Sequence, residues 1–337
     1  MAKKITMQDI ANELNISKNS VSQALSGKDG VSESTRKLVV DTAKKLGYIY
    51  ASSRTNENDK ISGNIGLIAS DFAFSQKSFF GEIYLSVEKE VKQGGMNLII
   101  ESVDNHAIEN LILPDFINKH SVSGLLILSH ISTDYINLLI DTGIPVVMID
   151  HHHPFNKADA VLLNNRFSAY RAIHFLIELG HNDIGFIGNT SISPSYQERF
   201  EGYRLALDHY NLPLHQDFMI TDIIENSESV AETLQQLNKF PTAWFCINDG
   251  LGFLTQTHMI NNGYNVPEDI SIFSFDNGQL SRIAQPTTST VDINFPLYGR
   301  RAVEQLFWRI QHPTEPIQEI LLDSTIIERE STGRRKV

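Results

Sequence analysis

Cysteine is nearly absent. The 337-residue chain has a single one, Cys246, so no internal disulfide can staple the fold, and within an apolar run it reads as a core residue. No uninterrupted apolar stretch approaches the ~18 residues that mark a membrane helix. The opening, MAKKITMQD, has two lysines but no apolar segment behind them. That excludes a secretory signal and leads us to expect a cytoplasmic protein. Catalytic signatures are missing as well. Ser193-Pro194-Ser195 lacks the elbow sequence of a hydrolase nucleophile, and no phosphate loop is present. His151, His152 and His153 invite a metal. Adjacent histidines point in different directions, though, and no Cys/His/Asp set at ligand spacing accompanies them. A surface run is the simpler account, and neither metal nor cofactor is expected.

Positive charge is scarce overall, with 28 Lys and Arg against 40 Asp and Glu, for a net charge of −12. Its distribution says more than its sum. Residues 1–60 hold ten basic and seven acidic residues, a balance of +3, which leaves −15 for the rest. An acidic remainder repels phosphate and confines any contact with nucleic acid to the N-terminal segment. A hydrophobic fraction of 41% is ample for a folded interior. The length suits a small headpiece followed by a larger core.

Residues 5–48 read as three short helices with little between them. Thr6 can cap the first, with Asp9 three residues on and Ile10, Ala11 and Leu14 forming its apolar stripe. Ser17 caps a second helix whose inward face is Val21, Ala24 and Leu25, ending at Gly27. Ser32 caps a third, closed by Gly47. A helix, a short turn and a second helix make the helix-turn-helix geometry, in which the second helix enters the DNA major groove. Its outward residues are Lys18, Asn19, Ser20, Ser22 and Gln23, all hydrogen-bonding types and none acidic. Periodicity alone leaves a three-helix bundle with a solvated polar face as an equal alternative.

The wording T-x-x-D-I-A-x-x-x-x-I-S-x-x-S-V-S-x-A-L-S-G, followed by V-S-x-x-T-R and L-G-Y, closely resembles the DNA-binding headpiece of the LacI/GalR family of bacterial transcription regulators. By resemblance, DNA contacts are expected at Thr6, Ser17, Lys18, Asn19, Ser20, Ser22, Gln23, Ser32, Thr35, Arg36 and Arg54. Residues 49–63 are polar and mark a linker. In the family this segment forms a hinge helix on DNA, with a leucine wedged into the minor groove. Here Glu57 holds the wedge position, and Tyr50 and Ala51 replace the usual proline and asparagine. A carboxylate cannot intercalate. Either the linker stays extended, or operator recognition relies more on the major groove.

After the linker, strands and helices alternate. Strands are expected at 64–70, 96–102, 122–128, 145–149, 160–163, 184–188, 243–247 and 270–275. Helices are expected at 80–93, 108–120, 168–179, 197–210 and 250–262. Such alternation demands parallel sheets covered by helices on both faces. The expected fold is α/β: a helix-turn-helix headpiece, then a two-lobed core of doubly wound parallel sheets like that of periplasmic binding proteins. The headpiece spans 1–48 and the core 64–337. Lobe 1 is about 64–163 and 293–323, and lobe 2 about 164–292 and 324–337. Phrases such as L-G-H-N-D-I-G-F-I-G at 179–188 and G-x-x-V-P-E-D-I-S-I-F-S-F-D-N at 263–277 extend the resemblance through the core.

In open α/β sheets, ligands bind beyond the C-terminal ends of the strands. Asn248 and Asp276 stand at such ends, and Arg199 offers a fork of donors behind the loop 189–196. The resemblance makes these three effector ligands, and Phe295 an effector-facing aromatic. Asp249 is expected to tie down its loop instead. From the first lobe, Asp71, Phe72, Phe74, Phe79 and Ser129 are expected at the cleft, the aromatics to stack on a sugar or purine. Asn164 stands where many members carry aspartate, and Trp244 reads as core. The resemblance implies a homodimer on a near-palindromic operator, since the tetramer-forming C-terminal heptads known in the family are missing. It implies a repressor of carbohydrate-utilisation genes, released from its operator DNA by a small-molecule effector, a sugar or sugar derivative. Control by a purine or by a protein co-repressor stays open. No enzyme activity and no membrane contact are expected.

Overall fold

The computed structural model describes residues 6–25, 30–46, 63–71, 73, 80–119, 121–128 and 131–336. It divides into two compact units, residues 1–60 and 61–337. In the first, helices α1 (Met7–Leu14), α2 (Lys18–Leu25) and α3 (Glu33–Leu46) close around Ile10, Ala11, Val21, Ala24, Val39 and Ala43. The caps set these helices. Thr6 and Asp9 form a reciprocal capping box, with the Asp9 carboxylate taking the Thr6 N–H at 2.7 Å. Ser17 Oγ accepts Ser20 N–H at 3.0 Å, and Ser32 Oγ accepts Thr35 N–H at 3.2 Å. Between α1 and α2, Asn15 takes a left-handed turn at φ 53°, which an asparagine tolerates better than most residues.

The second unit holds two six-stranded sheets. The first runs β11-β5-β4-β3-β1-β2 and the second β12-β10-β9-β8-β6-β7. In the first sheet, β1 is Asn64–Ser70, β2 Asn97–Val103, β3 Gly124–Leu128, β4 Val146–Ile149, β5 Asp159–Leu163 and β11 Glu319–Leu322. In the second, β6 is Ile184–Ile187, β7 Met219–Ile220, β8 Ala243–Cys246, β9 Ser271–Asp276, β10 Ser289–Asp292 and β12 Thr325–Ile327. All neighbours are parallel except β10 and β12, which pair antiparallel at an edge. Strands β3, β4, β5 and β8 are buried at every position, the mark of a sheet covered on both faces. Trp244 and Cys246 lie wholly inside.

Between β1 and β2 runs helix α4 (Phe80–Gln93). The single helix expected at 108–120 is instead two turns, α5 (Asn105–Glu109) and α6 (Asp115–Asn118). Asp104 caps α5 early, with its Oδ1 2.7 Å from Ala107 N. Leu111 then turns left-handed at φ 54°, and Pro114, the N-cap of α6, disfavours a helical conformation at the residue before it. Helix α7 (Thr133–Asp141), capped by Ser132, fills the gap before β4. The second sheet is dressed by α8 (Asn165–Glu178), α9 (Pro194–His209), α10 (Ser227–Gln235), α11 (Asp249–Asn261) and the short α12 (Gln279–Ile283). Helix α13 (Phe295–Gln311) returns to the first sheet. Its Arg309 grips Asp159 of β5 through two bonds, Nη2 to Oδ1 at 2.7 Å and Nε to Oδ2 at 2.9 Å. Three backbone carbonyls, those of His312, Glu315 and Pro316, take the remaining donors, so a buried charge pair is fully hydrogen-bonded.

Helices α8 and α9 approach closely because α9 carries Gly202, where a Cβ would collide with the Arg166 carbonyl and the Ala169 side chain. Gly202→Ala gains about 1 kcal/mol of helix propensity but forces two helices apart. Overpacking costs ~1–3 kcal/mol and is unrelieved against backbone, so we expect net destabilisation of up to ~2 kcal/mol. Chemical denaturation of the variant measures it, and equal or greater stability would show that the helices separate freely.

Candidate functional site

Strand order in the second sheet reverses between β6 and β8, and chains leave their C-terminal ends in opposite directions there. Asn189 follows β6 and Asn248 follows β8. A cavity of about 410 Å³ opens at this point. Its wall combines Phe80 and Asp150, from segments attached to the first sheet, with Asn189, Tyr196, Arg199, Glu225, Asn248, Asp249 and Asp276 of the second. Ile192, Ile223, Ile224 and Leu280 complete an apolar side.

Arg199 is the centre of the floor. It sits in the second turn of α9, only 1% exposed. Its Nε donates to Asn165 Oδ1 at 3.0 Å and its Nη1 to the Ile247 carbonyl at 2.7 Å, with Asp276 Oδ1 3.0 Å from the same Nη1. The guanidinium lies over the Phe275 ring, 3.7 Å from its centroid, a contact that a planar cation makes well. Glu201, on the same helix, is bound to Arg166.

Asn248 caps α11, its Oδ1 accepting Leu251 N–H at 2.8 Å. Its Nδ2 donates to Tyr196 OH at 2.9 Å and Glu225 Oε2 at 2.7 Å. Asp249, as expected of a loop tie, is held by Ser274 Oγ, Thr290 Oγ1 and the Gly278 N–H. Asp150 accepts Ser195 Oγ at 2.8 Å and Tyr298 OH at 3.4 Å. Three non-glycine residues here adopt positive φ: Asp150 at 55°, Asp276 at 105° and Asn277 at 52°. Such backbone costs ~1 kcal/mol or more per residue and gathers where a binding geometry is held in place. Burial pushes the Asp276 carboxyl up to about 8, against the opposing pull of Arg199 and with help from Asp249 and Asp150. Asp150 rises to about 6 for the same first reason.

The remaining expected residues fall as follows. Asp71 is exposed and Phe295 is buried in the hydrophobic core, and neither lines the cavity. Phe72, Phe74, Phe79, Ser129 and Arg54 lie outside the described residues, as does nearly all of the linker with Glu57. Among the described residues of that region, Phe80 lines the cavity. Asp150, Tyr196 and Glu225 were not singled out. Asp150 stands just past β4, the position that selects Asn248 and Asp276 elsewhere. The histidine run is not a surface run: His151 is 7% exposed. His152 bridges Glu198 at 3.1 Å and Glu319 at 3.3 Å, and Glu198 first among these raises its pKa. Among the described residues no group of three His, Cys, Asp or Glu could hold a metal.

On the headpiece, Ser17, Lys18 and Asn19 are exposed at the start of α2, and Ser20, Ser22 and Gln23 are half-buried. Helix N-termini present free N–H groups suited to phosphate. Arg36 donates to the Ala24 carbonyl at 3.0 Å and the Gln23 carbonyl at 3.4 Å, closing the end of α2. Thr6 and Ser32 likewise serve caps.

Two family descriptions match the chain: bacterial regulatory proteins of the lacI family over residues 6–50, and the periplasmic binding protein-like domain over 173–332. The repressor PurR of Actinobacillus pleuropneumoniae serotype 3 (strain JL03) is 30% identical over 311 residues, 91% of each chain. The chain belongs to the LacI family. A second LacI-family relative, the ribose operon repressor of Haemophilus influenzae, is 27% identical over 328 residues, 97% of this chain and 98% of its own. Among solved structures, the regulator CelR in complex with cellobiose superposes with a TM-score of 0.72 at 24% identity, covering 97% of this chain and 99% of its own. The headpiece and the two-sheet core are thus those of a DNA-binding transcriptional regulator of this family. No described helix is long and apolar enough to cross a membrane.

The raised Asp276 and Asp150 values set a stability trend. Both hold protons in the folded chain that they lose, unfolded, near 3.8. Between 3.8 and about 8 the folded state therefore binds more protons, and stability falls as pH rises. The penalty is absent below 3.8. We expect the melting temperature of the ligand-free protein to drop from pH 5 to pH 8, and Asp276→Asn to flatten the slope. A slope unchanged in Asp276→Asn would count against a buried, protonated Asp276.

Proposed function

We propose that this LacI-family protein is a repressor whose two headpieces, in a homodimer, bind two half-sites of a near-palindromic operator. A small molecule entering the cavity at the switch point of the second sheet lowers operator affinity. Carbohydrate-utilisation genes are the proposed targets and a sugar-type ligand the proposed effector. One observation carries the reading: a preformed cavity of ligand size, floored by buried hydrogen-bonding groups, in a chain that also bears a DNA-reading headpiece. The ribose and cellobiose in the names of similar proteins support a sugar. The PurR relatives support a purine as the second reading, and Phe80, Tyr196 and the isoleucines offer faces for a flat ring.

Reciprocity requires DNA and effector to alter each other's affinity by one factor. Arg199→Ala is a poor test of the reading, since removing one member of a buried pair costs ~3–5 kcal/mol. Leu280→Trp fills the rim and leaves the polar floor in place. We expect it to abolish release from the operator by any effector while retaining operator affinity, read by gel shift. An undiminished effector response would place the ligand elsewhere. On the headpiece, Gln23→Ala should change which base is preferred at one operator position, at a cost of ~1–3 kcal/mol for the preferred site. A uniform loss across operator variants would make Gln23 a backbone contact.

A further inference from the structure

Both ring nitrogens of His152 face carboxylates, and the two carboxylates belong to different halves of the core. His152 follows β4, in the half built on the first sheet. Its Nδ1 lies 3.3 Å from Glu319 Oε1 on β11 of that same sheet. Its Nε2 lies 3.1 Å from Glu198 Oε1 on α9, a helix of the second sheet's half. An ionised carboxylate only accepts, so each contact asks for an N–H on the imidazole. A neutral ring has one N–H and the imidazolium has two. The bridge as it stands is therefore the protonated ring's. Hydrogen bonding to Glu198 raises the His152 pKa above the ordinary 6.5 against the opposing effect of burial, and Glu319 adds to the rise.

We propose that His152 is a proton-operated latch between the two halves of the core: the imidazolium ties Glu198 to Glu319 and holds the inter-sheet angle seen here. Loss of the proton removes the charge and one of the two bonds, and the hold on Glu198 weakens. The cross-sheet contact is the better shielded, since the Glu198 side chain is 20% exposed and that of Glu319 57%. Glu198 Oε2 also accepts Asn165 Nδ2 at 3.4 Å, and Asn165 Oδ1 holds Arg199 Nε. The proton thus acts one residue away from the group that organises the cavity floor. Other titratable and charged groups surround the bridge. On its own loop stand His151, His153 and Asp150, whose carboxyl is raised by burial first and by Glu198 to a lesser degree. Arg199 neighbours Glu198 in α9, and Glu201 of that helix pairs with Arg166 of α8. A raised histidine favours the bridged arrangement fully below 6.5 and gives up that preference as pH rises through the raised value. Any ligand that binds the bridged arrangement better is therefore bound more tightly in acid. The latch holds whether or not the cavity is the effector site.

Two measurements on the full chain, with no ligand added, test it. In the first, NMR follows the His152 ring through pH, assigned by its loss in His152→Gln. The ring should titrate above 6.5, and Glu198→Gln should bring the value down. A wild-type value at or below 6.5, or one that Glu198→Gln leaves unmoved, overturns the latch. In the second, spin labels on Lys157→Cys and Asp208→Cys, exposed positions in the two halves, report the distance between them, with the native Cys246 wholly buried. The distance distribution should be narrow at about pH 6 and broaden at about pH 8. His152→Gln should be broad at both, with Glu198→Gln as the second variant if it misfolds. An identical wild-type distribution at the two pH values overturns the latch. So does a pH response kept in full by the variants, which would assign the motion to Asp150 or another group.

Discussion

A guanidinium with 1% exposure cannot stand alone. Desolvating Arg199 costs several kcal/mol, and the structure recovers that by converging four groups from three elements on it. Asn165 comes from the start of α8, the Ile247 carbonyl from the end of β8, Asp276 from the end of β9, and Phe275 stacks beneath. The convergence of these groups on the cavity floor serves that one requirement. So does the backbone strain: Asp276 at φ 105° is held in a conformation that an aspartate adopts only when its surroundings insist. The arginine thus organises the floor through its Nε and Nη1.

Sheet topology decides where that floor can be. Parallel strands point all their C-terminal ends one way, and the reversal between β6 and β8 opens a gap between the departing loops. Polar residues at those ends face the gap because the strands themselves, buried throughout, have no polar face to offer. The first sheet contributes through two residues, Asp150 after β4 and Phe80 at the head of α4. Exchange of segments ties the sheets together: α13 and β11 return to the first, locked by Arg309 on Asp159, while β12 goes back to the second.

The fold was largely legible. Strands buried on both faces read as continuous apolar runs, and caps such as Thr6, Ser17 and Ser32 mark helix starts in one letter. What failed was local punctuation: Leu111 turning left-handed and Pro114 split one expected helix into two. For the site, position after a strand identified Asn248 and Asp276. The same logic reaches Asp150. It cannot reach Glu225 or Tyr196, which enter the cavity through loop and helix packing that no short-range pattern encodes. Phe80, at the head of α4, lines the cavity and was not singled out, because neighbouring aromatics give no register. Phe295 shows the converse, since an aromatic at a helix start after a crossover is as readily core as ligand wall.

The cavity floor also touches the contact between the two sheets' helices and loops. His152, past β4, bonds Glu198 on α9, and Glu198 in turn accepts Asn165 Nδ2 at 3.4 Å. Asn165 holds Arg199, and Arg199 holds Asp276. A ligand shifts a conformational equilibrium only by binding one state better than another. Residues from a single sheet would meet a ligand equally however the sheets were angled. Here Asp150 and Phe80 face Arg199, Asp276 and Glu225 across the cavity, so a ligand touching both sets binds best at one inter-sheet angle. A ligand's preference for one inter-sheet angle would therefore arise from contact with both Asp150 and the second-sheet residues.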